Sequence, residues 1–453
     1  MDGNWPRSVI VVGAGIVGLS TAWFLQERGV QVDVVDRGGV AAGASWGNAG
    51  WIAPGLAIPL NEPAVLRYGL RSLLNPAAPL HVPASLDPGL WSFLARFAAN
   101  SHWRSWARAA RANLPLNDEC VEAYEVLAAN GVSAPVVAAP ITAAFRTPRQ
   151  AGRLLRELRK LEAAGQRVEH VVLDGGGLAE HVPLAGEALT AGVRIDGQRY
   201  VDPGAFVHAL GKAVMQRGAT VYAVEVDDVR TDDRKVIVRS AKGTVLSADA
   251  VVLATGAWLP RLARQWGVRV PVRAGRGYSF TVPVDHPVPG PIYLPDERVA
   301  CTPYRNGLRV AGTMEFRDPD APQVPARLEA IIASARPLLR GVRWEERTDV
   351  WVGPRPVTPD GRPLVGATVA PTVYVAGGHG MWGLAHGPIT GRLLAEQITT
   401  GKQPAALAEL DPSADAEHTG RDGVDLAAID RCHRPSTSTG SQSGAVATVV
   451  ARW

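Results

Sequence analysis

The stretch "VVGAGIVG" at residues 11–18 constrains the fold more than any other part of the chain. Its glycines follow the spacing G-x-G-x-x-G, after a strand-like apolar run and before a helix-like run. In this pattern Gly13 permits a tight turn, Gly15 lets the backbone approach a pyrophosphate, and Gly18 lets helix and strand pack closely. The N–H groups at the helix N-terminus then face the phosphates. The motif therefore predicts a βαβ unit that binds a dinucleotide.

A second strand-like run completes this unit. Residues 30–36 ("VQVDVVD") alternate in polarity and end in Asp36, 18 residues after Gly18. A carboxylate at this position can accept hydrogen bonds from both ribose hydroxyls and repels a 2′-phosphate, so the sequence disfavours NADP. NAD and FAD share the motif and both remain open on these residues alone, as does a glycine-rich turn that binds no ligand.

Charge and cysteine usage exclude other functions. The net charge is +4, from 47 basic and 43 acidic residues spread along the chain, so we expect no nucleic-acid partner. Cys120, Cys301 and Cys432 are far apart, and no histidines follow an H-x-x-x-H spacing, so we predict neither a disulfide framework nor a metal site. Such cysteine usage is typical of a reducing compartment, and we expect a cytoplasmic protein.

An uncharged apolar run at residues 8–25 is nearly long enough to span a bilayer. The residues before it include Asp2 and Arg7 and do not form a basic leader, and its three glycines belong to the motif above. We therefore interpret the run as strand and helix, not as a targeting segment.

The remaining patterns predict an α/β protein with a large antiparallel region. We predict strands at 9–12, 30–36 and 373–376, helices at 16–28, 151–164 and 388–400, and a capped helix, a stop at Gly218 and a strand within 202–226. Residues 63–130 are helical in composition, whereas 270–350 alternate in short segments between Pro and Gly turns, which predicts antiparallel strands. Beyond about residue 411 the composition predicts a disordered tail.

Five further segments carry a family resemblance: "AAGASWGNAGWIAPG" (41–55), "VLATGAW" (252–258), "VAGTMEF" (310–316), "WVGPRPVTPDGRPLVG" (351–366) and "VAGGHGMWGLAHGPITGRLLAEQI" (375–398). In this order they resemble the FAD-dependent amine and amino-acid oxidoreductases, most closely the D-amino-acid dehydrogenase family, from about residue 9 to about residue 402. The resemblance implies a Rossmann-type FAD-binding domain with an interleaved mixed-sheet α+β substrate domain. We expect the FAD-binding domain at 1–62, 196–270 and 350–405, the substrate domain at 63–195 and 271–349, and the disordered tail at 411–453.

The resemblance also implies which residues bind FAD. They are Gly13, Ala14, Gly15, Ile16, Val17, Gly18, Asp36, Arg37, Ser45, Asn48, Gly50, Val226, Thr255, Gly256, Gly353, Gly378, His379, Gly380 and Met381. His379 is also a candidate catalyst, although a positioning or flavin-contacting role is the favoured interpretation; His386 is interpreted as structural. A covalent flavin link needs a His, Cys or Tyr close to the ring, and none of these lies between residues 37 and 67. We therefore predict that FAD is bound without a covalent link.

Arg355 stands between Pro354 and Pro356, which stiffen its backbone. In the resembling families a Gly-x-Arg-Pro segment brings one arginine to the substrate carboxylate, and here that arginine is Arg355. Hydride transfer requires the Cα–H to be aimed at the flavin, and a guanidinium that holds a carboxylate by two hydrogen bonds fixes both position and rotation. The alternative is an arginine in an internal ion pair.

Two tyrosines are further candidates for the substrate pocket. Tyr304 and Tyr278 fall on predicted strands, where either could share the carboxylate or cover the pocket, or could be a core residue. Trp382-Gly383-Leu384 departs from the Gly-Trp-Thr that family members often carry, which leaves the substrate preference open.

The implied reaction is oxidative deamination of a D-amino acid, with hydride transfer from Cα to flavin N5 and release of a 2-oxo acid and ammonia. A quinone or another electron acceptor would then reoxidise the flavin. The alternatives are an oxygen-using oxidase of glycine, sarcosine or proline-type amines, and a nucleotide-binding protein without activity. Residues 91–111, rich in aromatic residues and arginine, either contact the inner face of a membrane or form an ordinary helical part of the substrate domain.

Overall fold

The computed structural model describes residues 5–63, 78–83, 85–232, 235–305 and 307–413. From residue 414 onward, the tail that we predicted to be disordered lies outside the described residues, as do residues 64–77 of the predicted helical stretch.

The described residues form both helices and strands, so the α/β class is confirmed. The helices are α1 (Ile16–Glu27), α2 (Pro88–Asn100), α3 (Trp103–Ala129), α4 (Pro148–Ala163), α5 (Gly175–His181), α6 (Pro203–Gln216), α7 (Leu259–Ala263), α8 (Pro325–Ala335) and α9 (Gly383–Thr400). The strands are β1 (Ser8–Val12), β2 (Gln31–Val35), β3 (Trp51–Ile52), β4 (Leu80–His81), β5 (Val137–Ala138), β6 (Ile141–Phe145), β7 (His170–Leu173), β8 (Ala191–Ile195), β9 (Arg199–Tyr200), β10 (Val221–Tyr222), β11 (Val226–Asp232), β12 (Lys235–Ser240), β13 (Val245–Ala248), β14 (Ala250–Leu253), β15 (Arg273–Pro283), β16 (Ile292–Leu294), β17 (Val299–Tyr304), β18 (Gly307–Phe316), β19 (Thr348–Val357), β20 (Leu364–Ala367) and β21 (Val373–Gly377).

A six-stranded sheet of order β10-β2-β1-β14-β21-β20 contains the predicted βαβ unit. Its strands are parallel except β20, which runs antiparallel to β21. Residues 9–12 of β1 are all apolar because both faces of the strand are covered. Val9 and Val11 pack in the core formed with α1 and α9, whereas Ile10 and Val12 pack towards the three-stranded sheet β11-β12-β13. These layers hold the β1–α1 turn at the carboxyl end of the strands, where such sheets bind ligands.

The larger sheet has the order β19-β15-β18-β17-β16-β6-β8-β7, with β4 paired to β18. It is mixed, since the β16–β6 and β18–β4 pairs are parallel and its other pairs are antiparallel. Helix α8 interrupts the predicted run of strands between 270 and 350, and its Leu328, Ile331 and Ile332 pack on this sheet's core.

Strand β19 departs from the domain boundaries that we expected. Residues 350–357, placed by the sequence in the FAD-binding part, pair with β15 in the larger sheet. The strand lies at the sheet's edge, where Pro354 and Pro356 can be accommodated without breaking an interior ladder. The division of the chain into two domains stays a prediction.

Helix α9 begins earlier than the predicted residue 388. It starts at Gly383, so Pro388 lies inside it and removes the N–H that would bond to the carbonyl of Leu384. The buried hydroxyl of Tyr124 on α3 donates to that carbonyl at 2.7 Å. A tertiary hydrogen bond therefore replaces the one that proline removes, which local sequence patterns cannot reveal.

The aromatic stretch 91–111 forms most of α2 and the start of α3. Phe93, Phe97 and Trp106 are buried, whereas Trp91 is exposed. Most of the aromatic side chains of this stretch are thus buried in the core. In the described part of the chain, no helix has both the length and the apolar character needed to cross a membrane.

Candidate active site

The turn between β1 and α1 brings backbone segments unusually close together. Gly13 has a φ of 119°, and a Cβ there would lie 2.3 Å from the carbonyl oxygen of Ala254. A Cβ on Gly18 would lie 1.9 Å from the carbonyl oxygen of Gly13. Gly15 is the N-cap residue of α1 and presents no side chain there. The turn therefore leaves the helix N-terminus open to a phosphate, as the motif predicts.

Two side chains brace this turn. The Ala14 N–H donates to Asp36 Oδ2 at 2.9 Å, and the Ile16 N–H donates to the Ser45 hydroxyl at 3.0 Å. Asp36 Oδ1 also accepts from the Gly38 N–H at 2.8 Å. Each carboxylate oxygen has a second lone pair, so Asp36 can brace the turn and still accept hydrogen bonds from a ribose.

The turn opens into a cleft of about 1420 Å³, open solvent at its mouth included, which we call the glycine cleft. Of the predicted residues, those that line it are Gly13, Gly15, Ile16, Val17, Asp36, Arg37, Ser45, Asn48, Val226, Thr255, Gly256, Arg355, His379, Gly380 and Met381. Segments far apart in sequence thus meet along one groove, as the resemblance implies.

Arg37 lines the glycine cleft, and a neighbouring carboxylate balances its positive charge. Its guanidinium lies 4.3 Å from the ring centroid of Trp258 and is paired with Asp320. The Trp258 N–H donates to the same carboxylate at 2.9 Å, and this pairing lowers the pKa of Asp320 against the opposing effect of burial. Arg37 can therefore stack against a ligand more readily than it can offer a free charge.

His379 lies at the other end of the glycine cleft, between Gly378 and Gly380. Its Nε2 is 2.9 Å from the Thr390 hydroxyl, whereas its Nδ1 is buried without a hydrogen-bond partner among the described residues. Burial lowers the pKa of His379 to about 4, so the ring is neutral at pH 7. A neutral, oriented imidazole is suited to a hydrogen bond with a bound group and is unsuited to supplying positive charge.

A second cavity, of about 1400 Å³ with its open mouth, shares Asn48, Arg355 and Met381 with the glycine cleft. Arg355 therefore lies where the two cavities meet. The walls of the second cavity are largely apolar, with aromatic surface from Trp51, Tyr293 and Trp382.

Arg355 has no carboxylate within ion-pair distance among the described residues. Among the described residues, its guanidinium makes one long hydrogen bond, 3.5 Å from Nη1 to the carbonyl oxygen of Thr313. The acid in its own segment, Asp360, is bound to Arg362 at 2.7 Å. Burial lowers the pKa of Arg355 to about 10, so it remains charged at neutral pH. A half-buried cation that has no ion-pair partner among the described residues, at the meeting point of two cavities, is suited to binding an anion.

Gly277 on β15, which the sequence did not single out, makes room for this guanidinium. A Cβ on Gly277 would lie 2.2 Å from both Cζ and Nη2 of Arg355. Strands β15 and β19 pair Gly277 with Gly353, two residues from Arg355 along the strand. The role of Gly277 depends on this cross-strand pairing, so no pattern within its own segment could predict it.

Several predicted residues line neither cavity. Ala14, Gly18 and Gly378 shape the nearby backbone, and Gly50 packs on the Val201 carbonyl oxygen. A Cβ on Gly353 would overlap the Trp351 ring, so this glycine serves packing within the sheet.

Neither of the two candidate tyrosines lines either cavity, which favours the core alternative for both. Tyr304 is buried at the end of β17, with its ring near Arg305 and Arg309. The Tyr278 hydroxyl donates to Glu315 at 2.6 Å in the core. Tyr293 on β16 lines the second cavity instead, beside its cross-strand partner Ala300. Tyr304 lies four residues beyond Ala300 along β17.

Charged residues of the second cavity were also missed. Glu62, Glu157 and Arg298 line it and come from three separate segments. Their only sequence signal is that each is a charged residue beside apolar ones, which is common on any surface.

Comparison with known proteins decides the family. The model of the DAO family, FAD-dependent oxidoreductases, matches residues 8–397. The chain belongs to this family. It is therefore an FAD-dependent oxidoreductase, and the resemblance inferred from its motifs is confirmed.

Curated relatives cover most of the chain. A D-amino acid dehydrogenase from Azorhizobium caulinodans is 30% identical over an alignment of 415 residues that covers 89% of this chain and 99% of that protein. A D-amino acid dehydrogenase from Vibrio vulnificus is 31% identical over 411 residues, 89% of this chain and 98% of the relative.

Solved structures share the fold. Glycine oxidase from Geobacillus kaustophilus aligns with a TM-score of 0.68 and 24% identity, covering 92% of this chain and 99% of that one. L-proline dehydrogenase from P. horikoshii aligns with a TM-score of 0.64 and 18% identity, covering 90% and 97%. At these identities the likeness concerns the fold alone.

The residues of the glycine cleft fit FAD. The Thr255 hydroxyl and His379 Nδ1 are buried polar atoms on its wall that lack partners among the described residues, and Gly13 leaves space that a Cβ would fill. A dinucleotide along this groove would give both polar atoms a partner.

Proposed function

We propose that this FAD-dependent oxidoreductase converts D-amino acids to 2-oxo acids and ammonia, with hydride transfer from Cα to flavin N5. The observation that carries the proposal is the guanidinium of Arg355, which has no ion-pair partner in the described part of the chain and lies where the two cavities meet. The D-amino acid dehydrogenases among its relatives, at about 30% identity, support the same substrate class. FAD, when bound along the glycine cleft, supplies the hydride acceptor.

Arg355 would bind the substrate carboxylate through two parallel hydrogen bonds. This geometry fixes the position of Cα and its rotation, which is what transfer of a hydride at close range requires. The gap at Gly277 keeps the guanidinium in place, and the Thr313 carbonyl supports its other side.

The second cavity would hold the substrate side chain. Its apolar walls, including Leu56 and Met314, exclude water from the carboxylate and so strengthen the pairing with Arg355. His379 would contact the cofactor through Nδ1, and its low pKa argues against a role as a general acid at neutral pH.

A quinone or another carrier is the proposed electron acceptor. Enzymes similar to sarcosine oxidase use a lysine beside the flavin to activate oxygen, and this chain has no lysine between residues 243 and 401. None of the described residues that line either cavity is a lysine. The alternative function, an oxygen-using oxidase of glycine, sarcosine or proline-type amines, requires a different cation.

The test is anaerobic mixing of the holoenzyme with D-amino acids while bleaching of the visible flavin absorbance is followed. L-enantiomers, glycine, sarcosine and proline are the comparison compounds. Bleaching by D-amino acids at rates well above the comparison compounds supports the proposal. Bleaching by glycine, sarcosine or proline alone would favour the alternative.

A further inference from the structure

The second cavity contains more charge than substrate carboxylate binding requires. Its charged lining residues are Glu62, Glu157, Arg298 and Arg355. If Arg355 binds the α-carboxylate, as proposed above, two carboxylates and one guanidinium surround the side chain. One negative charge is then in excess.

Other cations near Glu157 offset this excess only in part. Lys160 lies one turn further along α4 and stacks on Trp103, 3.5 Å from the ring centroid. Arg153 is bound to Asp296 at 2.6 Å. Within the described residues, neither Glu62 nor Glu157 has an ion-pair partner within 4.0 Å.

Arg298 compensates the two glutamates only in part. It occupies a left-handed backbone conformation, with φ of 56°, between β16 and β17 and lies beside the Tyr293 hydroxyl. Its charge attracts both Glu157 and Glu62, but one guanidinium cannot neutralise two carboxylates.

The protonation of Glu157 is consistent with a missing counter-charge. Burial, and after it the neighbouring Glu62, raise its pKa to about 7 against the opposing effects of Arg298, Lys160 and Arg153. A carboxyl group that keeps its proton near neutral pH can bind a cation by releasing that proton.

We infer that the second cavity selects D-amino acids whose side chain ends in a cation, either a guanidinium or an ammonium group. Glu157 and Glu62 are the specificity-determining residues, and the inference rests on the proposed function. The α-carboxylate lies at Arg355, the methylene groups contact walls such as Leu154 and Trp51, and the cation reaches the glutamates. A neutral side chain leaves the excess carboxylate without a partner in a partly dry cavity.

The preference should depend on pH in a defined direction. The cation binds the ionised form of Glu157, so selectivity should rise as the pH increases through about 7 and level off above about 8. Deprotonation of the substrate's amino group also raises rates with pH. Comparing D-arginine with D-citrulline at each pH removes most of this effect, because D-citrulline has the same shape without the charge.

The experiment measures kcat/KM of the holoenzyme for D-arginine and D-citrulline with an artificial dye as acceptor, from pH 6 to pH 9. The ratio of the two values should exceed about tenfold at pH 8 and fall towards pH 6. Glu157→Gln should lower the ratio by about 10- to 100-fold and abolish its pH dependence. Glu62→Gln should also lower it, and serves as the second variant if Glu157→Gln fails to fold. Glu162→Gln, on the exposed face of the same helix, is the matched control and should leave the ratio unchanged.

The outcomes separate this inference from the proposed function. Equal kcat/KM values for D-arginine and D-citrulline in the wild type would overturn the inference and leave the proposed function intact. So would a strong preference that neither glutamine variant reduces. If no D-amino acid is oxidised at all, the proposed function and the inference fall together.

Discussion

Gly277→Ala is expected to damage catalysis through the position of Arg355. The added Cβ would lie 2.2 Å from Cζ and Nη2 and 2.6 Å from Nη1 of Arg355. Since ordinary carbon contacts begin near 3.5 Å, the guanidinium would have to withdraw by more than about 1 Å. A misplacement of that size costs roughly 100-fold in rate, because the carboxylate and Cα move with the arginine.

The assay is kcat/KM for a good D-amino acid, measured beside the melting temperature and the flavin content. Gly192→Ala is the matched control, since it adds a methyl group to the same sheet against the flexible end of Leu178. A double-mutant cycle isolates the cause: in an Arg355→Met background, Gly277→Ala should cost little further activity. An equal loss from Gly277→Ala in both backgrounds would refute the reasoning, because the methyl group would then act without Arg355.

Three further predictions concern the cofactor, α9 and the buried histidines. Acid precipitation should release the yellow colour into solution, since no His, Cys or Tyr lies between residues 37 and 67; a yellow pellet would contradict non-covalent binding. Tyr124→Phe should lower stability by about 1–3 kcal/mol in denaturant unfolding, because it leaves the buried Leu384 carbonyl unpaired beside Pro388; an unchanged midpoint would contradict this. Burial lowers the pKa of His379 to about 4 and that of His386 to about 3, so the unfolded chain binds more protons than the folded one below pH 6.5. Their contribution to stability is present above about pH 6.5 and should be lost as the pH falls to 4, and His386→Asn should reduce this slope in thermal melts.

Features that depend on neighbouring residues could be predicted from the sequence. The β1–α1 turn is one, because the glycine spacing and the flanking strand and helix act within a few residues. Arg355 could also be singled out, by its flanking prolines and its Gly-x-Arg-Pro segment, although its role stays a prediction. The Asp202-capped helix α6 and its stop at Gly218, with φ of 100°, follow from local rules as well.

The second cavity could not be predicted in this way. It depends on the parallel pairing of β16 with β6, which brings together segments about 150 residues apart. Tyr293 lines it beside its cross-strand partner Ala300, whereas Tyr304 lies four residues further along β17, and this placement depends on how β16 and β17 pair. The start of α9 depends on a hydroxyl from α3. In each case the deciding contact lies outside the segment that carries the residue.

The central claim is that Arg355 binds the substrate carboxylate. Its direct test is kcat/KM beside the melting temperature for Arg355→Lys and Arg355→Met, with Arg362→Lys as the control for an arginine in an internal ion pair. Lysine keeps the charge but loses the two-pronged geometry, a loss of about 2–4 kcal/mol, so kcat/KM should fall roughly 30- to 1000-fold while FAD stays bound. Arg355→Met should be worse, whereas Arg362→Lys should change mainly the melting temperature. A stable Arg355→Met enzyme with normal kcat/KM would contradict the claim.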